Sequence, residues 1–172
     1  MLMNIPNKLC LIRLILLPII LLILYADFQY NIYLATLIFI IAAITDFFDG
    51  YIARTRNLET NLGRFMDPLV DKILIISIMI YLVYNQIIPD WIIIIIVARE
   101  FSVSGFRIIA ASKGIVVSAS KLGKFKTQSK IIAVIFALLN VPYYIFFMVF
   151  SLILTIISGI DYIWNGRNLF SE

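Results

Sequence analysis

Six long apolar stretches, separated by short polar breaks, fill almost the whole of this 172-residue sequence. Apolar residues make up 63% of the chain, charged residues only 14%, and the mean hydropathy is +1.04. A water-soluble domain cannot cover that much apolar surface, so the composition indicates a lipid bilayer as the surroundings. Because a span needs about 20 residues, six spans fit with little left over. The sequence therefore predicts an all-α integral membrane protein, a single domain over residues 1–172, with six transmembrane helices.

Turns and helix breakers bound the predicted spans. The spans cover residues 9–25, 32–54, 63–84, 91–107, 124–139 and 143–164. Polar loops are predicted at 55–62 and 113–121, and turns at 27–31, 85–90 and 140–142. Pro68 should kink the third helix or lie in its first turn.

Four aspartates in the second and third spans are the most unusual polar residues of the chain. On a helix advancing about 100° per residue, Asp46 and Asp49 fall within one narrow arc. Asp67 and Asp71, four residues apart, share a face of the next helix. The residues that flank them have little or no side-chain bulk: Gly50, Ala53 and Gly63. Carboxylates packed closely repel one another unless cations neutralise them, and the hard ions Mg²⁺ and Mn²⁺ prefer oxygen ligands. These residues predict a metal site with room for a phosphorylated ligand.

The positive charges lie on one side of this arrangement. The first, third and fifth connections contain neither Lys nor Arg, so all 14 positive charges fall on the opposite side. The positive-inside rule identifies that side as cytoplasmic, and the four aspartates lie on it. The sequence therefore predicts a multi-pass protein of the cell membrane whose polar active-site cavity faces the cytoplasm.

Residues 46–71 match the pattern D-x2-D-G-x2-A-R-x8-G-x3-D-x3-D at every fixed position. This pattern resembles the signature of the CDP-alcohol phosphatidyltransferase family of integral membrane enzymes. The resemblance implies that Asp46, Asp49 and Asp67 bind Mg²⁺ or Mn²⁺, as two ions. Asp71 is implied to be the general base and a further metal ligand. The residues expected to bind the CDP moiety are Asn7, Gly50, Ala53, Arg54 and Gly63. For Arg54 the alternative role is to hold the following loop, 55–62, in place.

Residues 4–13, 98–114 and 120–127 resemble one branch of this family, whose acceptor is sn-glycerol 3-phosphate. The resemblance implies transfer of a phosphatidyl group from CDP-diacylglycerol to that acceptor, with release of CMP, in a bacterial membrane. Cys10 departs from the branch, which favours threonine there, and inert packing is its expected role. Inositol phosphate, phosphatidylglycerol and serine stay open as acceptors. The partners that the resemblance implies are CDP-diacylglycerol, sn-glycerol 3-phosphate and membrane lipids, and no nucleic acid is expected. Because homodimers are common in the family, a homodimer is a further expectation.

One basic residue of the fourth span and three at the entry to the fifth are candidates for binding the acceptor phosphate. They are Arg107, Lys121, Lys124 and Lys126. Arg107 shares a helix face with Glu100, and two interpretations stay open: a Glu100-oriented arginine that binds phosphate, and a purely structural Glu100–Arg107 pair. For the lysines the alternative is attraction to anionic lipid head groups. Arg13, in the first span, is a weaker candidate. An ion transporter is the remaining alternative function, disfavoured because the ionisable groups cluster at one end and no internal repeat is visible.

Overall fold

The structure, a computed structural model, describes the backbone of residues 5–55, 61–112 and 121–165. Side chains are described for residues 9–45, 66–110, 123 and 125–164. These parts of the chain form six α-helices and no strand. The helices are α1 (Ile5–Tyr25), α2 (Asn31–Thr55), α3 (Asn61–Tyr84), α4 (Asp90–Ser112), α5 (Lys121–Leu138) and α6 (Tyr144–Asn165). The predicted all-α chain with six helices is confirmed for these residues. Most of the predicted loops at 55–62 and 113–121 lies outside them.

The ends of α3 and α5 share one local structure. After α3, Gln86 adopts a left-handed φ of 58°, and the next amide donates to the carbonyl of Leu82 at 2.9 Å. After α5, Asn140 has a φ of 48°, and the next amide donates to the carbonyl of Phe136 at 2.9 Å. A proline follows each of these residues within three positions and cannot continue the helix. The predicted turns at 85–90 and 140–142 are therefore confirmed.

The chain divides into two compact units, Met1–Ile78 and Met79–Glu172, with the boundary inside α3. In the first unit α1 packs against α2. The side-chain amide of Asn31, the first residue of α2, donates to the carbonyl of Ala26 at 2.7 Å and so closes the turn between the two helices. This contact fixes the connection from which α2 runs towards the aspartates.

In the second unit, α6 packs against both α4 and α5. Small residues line α6 where α4 approaches, and a Cβ at Gly159 would lie 2.9 Å from Nε and 3.0 Å from Cγ of Arg99. The missing side chain lets Arg99 lie across α6, where its Nη2 donates to Oγ of Ser158 at 3.0 Å. Small interfacial residues of this kind allow close helix packing in apolar surroundings.

The turns at 85–90 and 140–143 lie at the same end of the second unit. The hydroxyl of Tyr144, the first residue of α6, donates to the carbonyl of Ile87 at 3.1 Å. These two connections are the ones predicted to share the side of the membrane that lacks Lys and Arg.

Large hydrophobic side chains are exposed on every helix, among them Leu22 at 72% and Ile108 at 63%. Exposed apolar surface on this scale is typical of a chain in contact with lipid or with another protein. Among the described residues, Tyr144–Trp164 is the one helix long and apolar enough to cross a membrane, with a mean hydropathy of 2.1. The apolar helices Leu9–Tyr25 and Asn31–Thr45 are shorter. Charged side chains interrupt the apolar runs of α3, α4 and α5.

Candidate active site

Asp67 and Asp71 lie one turn apart on α3, and both side chains are half-buried. Pro68 stands between them, inside α3 and beyond its first turn. Oδ1 of Asp67 is buried and has no hydrogen-bond partner in the described part of the chain. A buried carboxylate oxygen is costly unless something binds it. This oxygen is therefore the best-defined candidate ligand atom of the site.

One face of α1 meets these two acids. Nη1 of Arg13 donates to Oδ1 of Asp71 and forms an ion pair with it. One turn earlier, Cys10 is 5% exposed, and its thiol lies within interaction distance of the Asp67 carboxylate. This burial agrees with the packing role predicted for Cys10, but its neighbours are not all apolar. Residues from α1 therefore reach both acids of α3, a contact that spacing along the sequence does not reveal.

The first half of the aspartate signature lies in the last third of α2. The backbone is helical through all of its residues up to Thr55, so the predicted single arc rests on a real helix. Asn7 lies in the first turn of α1 and Gly63 in the first turn of α3. Side chains lie outside the described residues for this whole set: Asn7, Asp46, Asp49, Gly50, Ala53, Arg54 and Gly63. Their contacts to metal and to CDP stay predictions.

The donor atoms present on α3 suit a hard divalent cation. Both described acids offer carboxylate oxygens, the ligands that Mg²⁺ and Mn²⁺ prefer, and Oδ1 of Asp67 is buried without another partner among the described residues. Within those residues no group of three or more His, Cys, Asp or Glu could hold an ion. The two aspartates of α2 that would complete the set have side chains outside that range. The part of the site that is described thus fits the predicted metal.

Glu100 is the centre of a buried group of charges in the second unit. Nζ of Lys126 and Nζ of Lys130 both donate to its Oε1, at 2.6 and 2.8 Å. Nη1 of Arg99 lies 3.5 Å from the same oxygen. Glu100 and both lysines are buried. Among the described side chains, three cations lie around this one carboxylate, and such an excess of positive charge in apolar surroundings attracts anions.

The predicted contact between Glu100 and Arg107 is wrong for the side chains that the structure describes. Arg107 is exposed and donates from Nε to the hydroxyl of Tyr162 at 3.2 Å, with its guanidinium carbon 5.2 Å from the ring centre. Glu100 instead accepts from Lys126 and Lys130 of α5. Lys126 is a predicted site residue, and Lys130 is not. The side chains of Lys121 and Lys124 lie outside the described residues.

Known proteins resemble this chain over most of its length. The model of the CDP-alcohol phosphatidyltransferase family matches residues 3–157. The CDP-diacylglycerol–glycerol-3-phosphate 3-phosphatidyltransferase of Bacillus subtilis (strain 168) is 41% identical over 179 residues, 92% of this chain and 93% of that protein. The protein of the same name from Wigglesworthia glossinidia brevipalpis is 35% identical over 98% of both chains. A probable phosphatidylglycerophosphate synthase of Mycobacterium tuberculosis (strain ATCC 25618 / H37Rv) is 36% identical over 93% of this chain and 80% of its own.

Proposed function

Because the chain belongs to the CDP-alcohol phosphatidyltransferase family, whose members are membrane-bound, we propose that it transfers the phosphatidyl group of CDP-diacylglycerol to sn-glycerol 3-phosphate. The products are phosphatidylglycerophosphate and CMP. The observation that carries the proposal is the match to relatives named for this reaction over nearly the whole chain. The aspartate signature and the buried, unpartnered oxygen of Asp67 among the described residues support the chemistry.

In this reaction the acceptor hydroxyl attacks the phosphorus that carries diacylglycerol, and the bond from that phosphorus to the CMP oxygen breaks. Asp71 would take the hydroxyl proton, a role that requires an ionised and accessible carboxylate. Its side chain is 29% exposed. Asp46, Asp49 and Asp67, with Asp71 as a further ligand, would hold two ions of Mg²⁺ or Mn²⁺. Such ions neutralise the diphosphate and stabilise the charge of the leaving CMP.

The CDP moiety would lie against the ends of α1, α2 and α3. Gly50, Ala53 and Gly63 have little side-chain bulk, so a nucleotide can approach the backbone closely at these positions. The polar contacts would come from Asn7 and from Arg54, whose guanidinium suits a diphosphate.

The proposed arrangement in the membrane is six spans with the active-site cavity on the cytoplasmic side. The exposed apolar side chains on all helices support a lipid-embedded chain. The bond from Tyr144 to Ile87 supports the alternating topology, because it joins the third and fifth connections at one end of the second unit. Neither connection contains Lys or Arg, as expected for the outer side.

The acceptor phosphate would be held by basic residues of α4 and α5: Arg107, Lys121, Lys124 and Lys126. The buried excess of cations around Glu100 supports an anionic acceptor. Lys126 donates to Glu100 at 2.6 Å, so this carboxylate holds the ammonium group in place. Arg107 is exposed and lies on the Tyr162 ring, which leaves much of its guanidinium accessible to an anion.

Replacing Arg107 with glutamine should raise the apparent KM for glycerol 3-phosphate about ten- to a hundredfold, because one charge-assisted hydrogen bond contributes roughly 1.5–3 kcal/mol. The KM for CDP-diacylglycerol should change little. Steady-state kinetics with each substrate varied in turn measure both values. Tyr162→Phe is the matched control, since it keeps the ring under Arg107 and removes the hydroxyl that accepts from Nε. Equal losses for both substrates in Arg107→Gln would assign Arg107 a structural role.

The proposed function is tested by CMP release from CDP-diacylglycerol with a panel of acceptors. Purified protein in detergent with Mg²⁺ or Mn²⁺ should release CMP with glycerol 3-phosphate. Inositol phosphate, serine and phosphatidylglycerol should give rates at least about a hundredfold lower, as expected for a site built to bind a specific polar group. Faster release with one of those alcohols would reassign the acceptor, and no release with any of them would overturn the activity.

A further inference from the structure

Arg13 is the largest fully buried side chain in the described part of the protein, at 2% exposure. It is also the only charged residue between Leu9 and Tyr25. Burying a guanidinium among apolar side chains is costly, and a leucine would fill the space without that cost. Packing alone therefore does not account for an arginine at this position.

The ion pair that Arg13 forms is unequal in its burial. Arg13 is 2% exposed, whereas the Asp71 side chain that accepts from its Nη1 is 29% exposed. Complete burial would remove both members from water and add the desolvation cost of the carboxylate to that of the guanidinium. Here the guanidinium is buried, and part of the Asp71 side chain remains accessible. In such an arrangement the arginine holds the acid from its buried side, and a ligand can reach the acid from its accessible side.

We propose that Arg13 is a positioning residue for Asp71 and holds the carboxylate in the orientation in which it accepts the proton of the acceptor hydroxyl. The inference rests on the base role proposed above for Asp71. A guanidinium is planar and rigid, so a hydrogen bond from it fixes the rotation of a carboxylate better than a flexible ammonium does. Reaction rates depend steeply on such orientation, because a displacement of about 1 Å can cost a hundredfold.

The same turn of α1 also reaches the second acid of α3. Cys10, three residues before Arg13, is buried beside the Asp67 carboxylate. Both described acids of the signature are therefore contacted by α1, Asp71 through Arg13 and Asp67 through Cys10.

The test compares Arg13→Gln and Arg13→Lys with the wild-type protein in the CMP-release assay. For Arg13→Gln we expect kcat to fall about a hundredfold, with both KM values within about threefold of wild type. Arg13→Lys keeps the charge but not the planar fork, and its kcat should fall about tenfold. In an Asp71→Asn background, Arg13→Gln should cause no further loss of turnover, since both residues act through one carboxylate.

Asn31→Ala is the matched control for stability, because it removes the turn contact to Ala26 in the same unit and touches neither acid. It should lower Tm in detergent without lowering kcat. If kcat falls only in proportion to folded protein, or if folded Arg13→Gln turns over at the wild-type rate, the positioning role is overturned. If Arg13→Gln does not fold and Arg13→Lys does, a wild-type kcat in Arg13→Lys likewise overturns the positioning role. Normal turnover in Asp71→Asn would instead overturn the proposed base and leave Arg13 without this function.

Discussion

Asp67→Asn should abolish Mn²⁺ binding and CMP release together. The substitution removes the charge from the carboxylate whose Oδ1 is buried without a partner among the described residues, and a neutral amide is a much weaker ligand for a hard cation. Stabilisation of charge by a metal contributes several kcal/mol to a reaction of this kind, so we expect turnover to fall by about a thousandfold or more. Electron paramagnetic resonance measures Mn²⁺ binding, and the CMP-release assay with CDP-diacylglycerol and glycerol 3-phosphate measures turnover.

Removal of the metal provides the second arm of this test. A chelator in excess should stop CMP release by the wild-type protein, and added Mg²⁺ or Mn²⁺ should restore it. Asp90→Asn is the control for Asp67→Asn, since Oδ1 of Asp90 accepts from the amide of Trp91 at the start of α4 and the amide oxygen of asparagine can accept the same bond. Full activity in excess chelator would remove the metal site from the mechanism.

Asp71→Asn should lower kcat about 10²- to 10⁴-fold while CMP binding in the presence of Mn²⁺ stays within about tenfold of wild type. The range is that of a general base, and asparagine cannot accept the proton. Calorimetric titration with CMP measures the binding and the release assay measures the turnover. This result distinguishes Asp71 from Asp67. For Asp67→Asn, Mn²⁺ binding and turnover should be lost together. Near-wild-type turnover in Asp71→Asn would show that another group accepts the proton.

The positions of the helices could be predicted closely from the sequence because the breaks are local. Asn140 and Gln86 end their helices in left-handed conformations, and a proline follows each. Such signals act within a few residues and do not depend on which helices are neighbours. The four-residue spacing of Asp67 and Asp71 on one helix is predictable for the same reason.

The partners of the buried charges could not be predicted because they depend on contacts between helices. Glu100 and Arg107 share a face, but seven residues separate them by about 10 Å along the axis. Lys130, thirty residues away in sequence, reaches Glu100 from α5 at 2.8 Å. Arg13 finds Asp71 at a separation of 58 residues. The useful signal was an isolated charge within an apolar helix, which indicates that a partner exists without identifying it.

The long separation between Arg13 and Asp71 has a consequence for biosynthesis in a membrane. When Arg13 is added to the growing chain, the carboxylate that pairs with it is still 58 residues from being made. On insertion scales an arginine at the centre of a helix costs about 2.5–3.5 kcal/mol. The Arg13–Asp71 ion pair, which offsets part of this cost, therefore forms only after α3 has been made. Packing of α1 against α2 needs no part of α3, so formation of this pair is a late step in the assembly of the first unit.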